Sequence, residues 1–147
     1  MKNQEKIDDA IWLAAKERLG YTDDEMELFK KHPFSHKLLS NRAITGMLRT
    51  SIIFEVVKAR NCSVGHKVGD KFYFSGEGYM ITRKCPDKIC PLLMPVMSRM
   101  MGLVTERLYE GLDPKPTVPF GHCDDVGIEC GGAGQVLLEV KYTYDPI

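Results

Sequence analysis

The residues of this chain best suited to chemistry are five cysteines and four histidines. Most of them lie in segments that carry glycine or proline: Cys62-Ser-Val-Gly-His66, Cys85-Pro-Asp-Lys-Ile-Cys90-Pro91 and Gly121-His122-Cys123. Such segments are usually loops, and metal ligands and reactive thiols are common on loops. A structural cysteine more often packs inside a helix or strand as a small hydrophobic residue. The pattern therefore predicts a thiol and imidazole site that is assembled from several loops.

A bound metal is one interpretation of this pattern. Cys62-x3-His66 followed by Cys85-x4-Cys90 has a ligand spacing that zinc can use, with a hairpin between the two pairs. An iron–sulfur cluster could also use four of the five thiolates. The spacing is looser than that of the common CxxC motif, so reduced thiols packed under loops are the alternative without chemistry.

A reactive thiol is the second interpretation, and Cys90 is its candidate. Cys90 precedes Pro91, and proline suits the first position of a helix. Cys90 would then cap the helix, where the backbone N–H groups favour a thiolate. If the helix begins instead at Pro95, Cys90 lies in an extended lead-in and loses this advantage. As a nucleophile or redox centre, Cys90 would use His66 or His122 as its base.

His66 and His122 each follow a glycine, and either imidazole could act as an acid–base group or a ligand. The alternative for each is a loop histidine that hydrogen-bonds the backbone. Asp125 lies two residues after Cys123, where it could orient an imidazole, bind a cation or simply form a turn. The segment 131–134, Gly-Gly-Ala-Gly, lacks the phosphate-loop pattern and is predicted to be a hairpin turn.

The elements that must position these residues are predicted as α+β. Apolar spacing indicates helices over 7–19, over 22–31 (opened by a Thr22–Glu25 capping box), over 34–49 and over 91–110. Strands are predicted over 51–57, 71–74, 79–82, 125–130 and 135–144. We expect one domain, 1–147, in which a helical N-terminal extension (1–49) packs on an α+β core (50–147). In that core, one long apolar helix crosses a small, mostly antiparallel sheet.

Composition excludes several classes of protein. Twenty Lys and Arg balance 20 Asp and Glu in 147 residues, so the chain lacks the basic excess of a typical nucleic-acid binder. No apolar run is long enough to span a membrane, and the charged N-terminus does not look like a signal peptide. An odd number of cysteines argues against a disulfide scaffold. These features predict a cytoplasmic protein with reduced thiols.

The segment 92–108 carries more apolar residues than one buried helix face requires. Its extra face could form a homo-oligomer interface or the wall of a pocket for a small molecule. A helix buried on nearly all sides by the N-terminal helices is the alternative.

Three motifs taken together carry a resemblance: Cys62-x-x-Gly-His-Lys-x-Gly-Asp70, Ile89-Cys90-Pro91 before an apolar helix, and Cys123-x-Asp125 before the final strand. The combination resembles a family of small uncharacterised prokaryotic proteins that are common in anaerobes, and it covers residues 52–144. The resemblance implies no activity. It implies a shared pattern with these members: Cys62, His66, Asp70, Cys90 and Cys123. It favours a site that leaves out Cys85 and Cys130.

Three functions follow as hypotheses. The first is a small binding or accessory protein that holds a metal, zinc or an iron–sulfur cluster, or a small ligand. Its metal ligands would be Cys62, His66, Cys90 and Cys123, and its further ligand-binding side chains His122, Asp70 and Asp125. The second is a thiol-dependent enzyme that uses Cys90 and His66. The third is a non-catalytic interaction module that oligomerises through the helix 92–108.

Overall fold

The computed structural model describes residues 6–145 and 147. Four helices precede the first strand: α1 (Asp9–Leu19), α2 (Asp23–Lys31), α3 (Pro33–Leu38) and α4 (Asn41–Arg49). Four strands and one further helix follow: β1 (Ser51–Arg60), β2 (Lys71–Ser75), α5 (Met94–Tyr109), β3 (Phe120–His122) and β4 (Gln135–Thr143). Short 3₁₀ turns occupy Thr82–Lys84 and Ile128–Cys130. The predicted α+β class with N-terminal helices is confirmed.

The strands form one antiparallel sheet in the order β2-β1-β4-β3. Buried and more exposed side chains alternate along β1, β2 and β4, as in a sheet with one buried face. Ile52, Phe54 and Val56 of β1 and Leu138 and Val140 of β4 are fully buried on this face. The strands thus form one wall of the main core.

Helix α5 supplies the other wall of that core. Its buried residues recur at helical spacing and belong to the same cluster as the strand residues: Val96, Met97, Met100, Met101, Val104 and Leu108. Met94 and Leu103 stay exposed, but they lie nine residues apart and so about 180° apart around the helix. Most apolar side chains of α5 are therefore buried within the chain. The exposed ones, Met94 and Leu103, do not form a continuous apolar surface.

The first three helices enclose a second, smaller cluster. Ile7, Trp12 and Met26 are its buried members, and Phe29 packs edge-on against Trp12 at 6.2 Å between ring centroids. The predicted capping box is confirmed: the Glu25 N–H donates to the Thr22 hydroxyl (3.3 Å), and the Thr22 N–H donates to the Glu25 carboxylate (2.8 Å).

The single helix predicted over 34–49 is wrong, because the chain breaks at Leu39 and Ser40. The Ser40 hydroxyl accepts the Ala43 N–H at 3.2 Å and so starts α4 as its N-cap. Two large apolar residues of this segment, Phe34 and Leu48, are exposed.

The strand predicted over 125–130 is also wrong. The edge strand that pairs with β4 is the earlier segment Phe120–His122, and a 3₁₀ turn with glycines on both sides occupies Ile128–Cys130. The segment predicted as a strand over 79–82 makes only one bridge, between Phe74 and Met80, before the chain turns away. No helix within the described residues is long and apolar enough to span a membrane.

Candidate functional site

Three loops at one end of the sheet bring three cysteines to one small cavity, which we call the thiol cavity. Cys62 follows β1, Cys90 precedes α5, and Cys123 follows β3. Both His66 and Asp125 also line this cavity. Its volume is about 10 Å³, which is room for one water or one ion and not for an organic ligand.

Cys123 is fixed by strand pairing that continues past the end of β3. Its N–H donates to the Val136 carbonyl at 2.9 Å, and its Sγ accepts the Val136 N–H at 3.3 Å. Cys123 is thus a buried thiol whose sulfur is held in place by a hydrogen bond from the Val136 backbone.

His66 is a buried imidazole with both ring nitrogens in use. Its Nε2 accepts the Cys90 N–H at 3.3 Å, so Nδ1 carries the hydrogen and lies 3.5 Å from the Asp70 carboxylate. Asp70 is held in turn by the Lys67 N–H at 3.1 Å. The Phe72 ring packs edge-on against the imidazole. His66 thus holds the backbone of Cys90, and the described residues show no hydrogen bond between its ring and the Cys90 thiol.

The expectation that Cys90 caps a helix is wrong. Helix α5 starts at Met94 with Pro95 in its first turn, and its N-cap is Leu93. Cys90 instead opens a turn in which its carbonyl accepts the Leu93 N–H at 3.0 Å. Its thiol therefore gains nothing from the end of the helix, and burial in the thiol cavity is what distinguishes it.

Asp125 organises the loop 123–134 and does not offer a free carboxylate. One carboxylate oxygen accepts the Gly127 N–H at 2.8 Å, and the other accepts the Ala133 N–H at 3.3 Å. These backbone hydrogen bonds, the one from Gly127 foremost, lower the pKa of Asp125 below its ordinary value. The turn-forming interpretation of this residue is the one that its contacts support.

The glycines of 131–134 close this loop against β1 and do not form a tight hairpin. A Cβ on Gly134 would lie 1.8 Å from the Arg60 carbonyl oxygen, and one on Gly132 would lie 2.1 Å from the Asp125 carboxylate. Only glycine permits this approach. The loop is therefore pinned beside the end of β1, from which Cys62 projects.

Cys85 and Cys130 lie outside the thiol cavity. The Cys85 Sγ accepts the Tyr73 N–H at 3.3 Å and donates to the Ile81 carbonyl at 3.4 Å. Burial raises the pKa of the Cys85 thiol. Cys130 is exposed on a 3₁₀ turn. A zinc site that joins Cys85 to Cys62, His66 and Cys90 thus has no geometric support.

His122 lies in a different and larger cavity. Its Nδ1 is 2.7 Å from the Cys123 carbonyl oxygen, and its ring lines a cleft of about 740 Å³ on the outer face of the sheet. Gly134 and Val136 border both this cleft and the thiol cavity. His122 is therefore a neighbour of the thiols and not a member of their site.

The thiol cavity is not preassembled as a metal centre. Across residues 6–145 and 147, no group of three or more His, Cys, Asp or Glu side chains is already disposed to hold a metal ion.

In comparisons with known proteins, no family model, no curated protein and no solved structure matches the chain. The resemblance described above therefore stays a prediction.

Sequence reasoning missed the groups that complete this end of the molecule. No sequence pattern indicates that the Val136 backbone N–H donates to the Cys123 sulfur. Lys58 and Arg60 were missed because the predicted strand ended at residue 57, whereas β1 continues through a β-bulge between Val56 and Lys58. Lys58 and Arg60 lie two residues apart, so in a strand both side chains point to the same face. This spacing was the available sequence signal of a polar sheet face.

Proposed function

We propose that the protein binds one thiophilic metal ion, of the zinc type, in the thiol cavity. The observation that carries the proposal is the convergence of Cys62, Cys90 and Cys123 from three separate loops on a space of about 10 Å³. That volume suits a single ion and is too small for an iron–sulfur cluster or an organic ligand.

His66 is the best fourth ligand for such an ion. Metal-bound histidines usually donate their second ring N–H to a carboxylate, and the His66 Nδ1 already faces Asp70. Asp125 is the weaker choice because backbone N–H groups occupy both of its oxygens. Ligation would cost the hydrogen bond from the Cys90 N–H to Nε2, and the Cys90 thiolate would move toward the metal in exchange.

The test is a Co²⁺ titration of the reduced, metal-free protein, because tetrahedral thiolate coordination gives Co²⁺ strong visible and sulfur charge-transfer bands. We expect one equivalent to bind and Zn²⁺ to displace it. Cys62→Ser, Cys90→Ser and Cys123→Ser should each weaken binding at least tenfold, whereas Cys130→Ser should leave it unchanged.

Two results would contradict this proposal. One is a Co²⁺ titration that shows no thiolate bands, together with an anaerobic purification that yields metal-free protein. The other is a brown protein, which would indicate an iron–sulfur cluster in place of a single ion. If no metal binds and one cysteine alone alkylates quickly at neutral pH, the thiol-dependent enzyme becomes the better explanation.

A further inference from the structure

A second cavity, the cleft of about 740 Å³ beside His122, lies on the outer face of the sheet. A volume of this size is in the usual range for sites of small organic molecules. We call it the outer cleft. It is built from the ends of β1 and β4, from His122 of β3 and from the loop 123–134.

The floor of the outer cleft is basic because of the β-bulge in β1. Val56 pairs with Leu138, whose side chain lies in the core, whereas Lys58 pairs with Leu137 on the opposite face. The extra residue thus turns Lys58 and Arg60 away from the core. His122 pairs with Leu137 from the other side, which completes a cross-strand row with Lys58.

The charges of the outer face are balanced at one end and unbalanced at the other. Near β2, Lys141 pairs with Glu55 at 2.7 Å and with Glu139 at 3.6 Å, and Lys115 pairs with Glu139 at 3.3 Å. In the outer cleft, no described carboxylate forms an ion pair with Lys58 or Arg60. Glu129 is the single acidic residue among those that line the cleft.

The rim of the outer cleft is apolar. Val68, Val126 and Ile128 come from two loops, and each exposes more than 60% of its surface. These side chains give the cleft apolar surface that the body of an organic ligand can contact. We propose that the outer cleft binds a small organic anion with an apolar body, whose charge is held by Lys58, Arg60 and His122. This site does not depend on the proposed metal.

The test uses two fluorescent probes that share their ring system and differ in charge: anilinonaphthalene sulfonate, an anion, and N-phenylnaphthylamine, which is neutral. We expect the full chain to bind the anion in a salt-dependent way. The double variant Lys58→Gln/Arg60→Gln should weaken anion binding about tenfold or more, since charge-assisted hydrogen bonds are lost. The same variant should change binding of the neutral probe little.

The control variant Lys71→Gln/Lys84→Gln removes the same charge from exposed positions outside the cleft and should change neither affinity. A second variant, Val126→Ser/Ile128→Ser, keeps the cations and should weaken both probes. Near-ultraviolet circular dichroism checks that each variant keeps its packing. The proposal is overturned if the anion binds Lys58→Gln/Arg60→Gln and the parent protein equally well. It is also overturned if Val126→Ser/Ile128→Ser affects neither probe.

Discussion

Cys85 and the cysteines of the thiol cavity are all loop thiols beside proline or glycine, yet their surroundings differ in kind. The Cys85 sulfur both accepts and donates a backbone hydrogen bond, so its polar capacity is used by the fold. In the thiol cavity, the Cys123 sulfur accepts one backbone N–H and donates to no group within the described residues, and the Cys62 and Cys90 sulfurs have no hydrogen-bond partner there. All three line a cavity that a single ion could fill. The comparison teaches that the saturation of a thiol, more than its position in a loop, separates a structural cysteine from a candidate ligand.

The largest effect should come from loading the thiol cavity. Zn²⁺ at about a hundredfold excess over its dissociation constant should raise the free energy of unfolding by about 2.7 kcal/mol, because only the folded chain presents the site. Cys90→Ser, which should weaken binding at least tenfold, should reduce this gain to about 1.4 kcal/mol or less. Cys85→Ala should keep it, although its free energy of unfolding without metal is lower. Urea denaturation with and without Zn²⁺ measures both, and an equal gain in Cys90→Ser would remove the distinction between the two kinds of thiol.

An intermediate effect should follow from Gly134→Ala. The added Cβ would meet the Arg60 carbonyl oxygen at 1.8 Å, so the loop that carries Cys123 must move, at a cost of about 1–3 kcal/mol. Gly102→Ala, in an exposed part of α5 where a Cβ meets no other atom, should be neutral or slightly stabilising. Urea denaturation gives both values, and Co²⁺ binding should be lost only in Gly134→Ala. A fully stable Gly134→Ala would show that the loop is not pinned as described.

The smallest effect concerns Cys85. Removing its sulfur in Cys85→Ala leaves the Tyr73 N–H without its acceptor, at a cost of about 1 kcal/mol. Because burial raises the pKa of Cys85, the folded state keeps this thiol protonated at a pH where the unfolded chain has lost the proton. Its contribution to stability is therefore complete below the ordinary thiol pKa of 9.0 and declines as the pH rises above it.

Two measurements check the prediction for Cys85. Alkylation mapped by mass spectrometry should modify Cys85 later than the exposed Cys130, and at a higher pH. The cost of Cys85→Ala should shrink above pH 9.0, the ordinary pKa of the thiol. Early modification of Cys85 in the folded protein would place it with the reactive thiols instead.

The parts of the fold that sequence predicts best are those with local causes. The Thr22–Glu25 box, the end of the first helix at residue 19 and the strand predicted over 135–144 depend on neighbours within a few residues, and all three are present. The break at Leu39 and Ser40 was missed because a serine N-cap inside an apolar stretch competes with helix propagation, and tertiary packing decides the outcome.

Residue types and spacing grouped Cys62, His66 and Cys90 with Cys85, which lies outside the thiol cavity. The resemblance, and not the spacing, favoured Cys123 over Cys85. The contact that His66 makes could be predicted from neither. Its Nε2 meets a backbone N–H 24 residues away, a contact that depends on how two loops pack. The bulge that turns Lys58 outward is likewise set by cross-strand register, which no local pattern records.

The pairing of β1 with β4 has a consequence for how the chain folds. These two strands are the longest and form the centre of the sheet, yet they are the first and the last strand along the chain. Such high contact order slows folding, because a long loop must close before the pairing stabilises it. During synthesis the helices can form early, but β1 cannot gain its central neighbour until residues 135–143 have left the ribosome. Until then the thiols lie on open loops, accessible to any metal or oxidant that reaches the nascent chain.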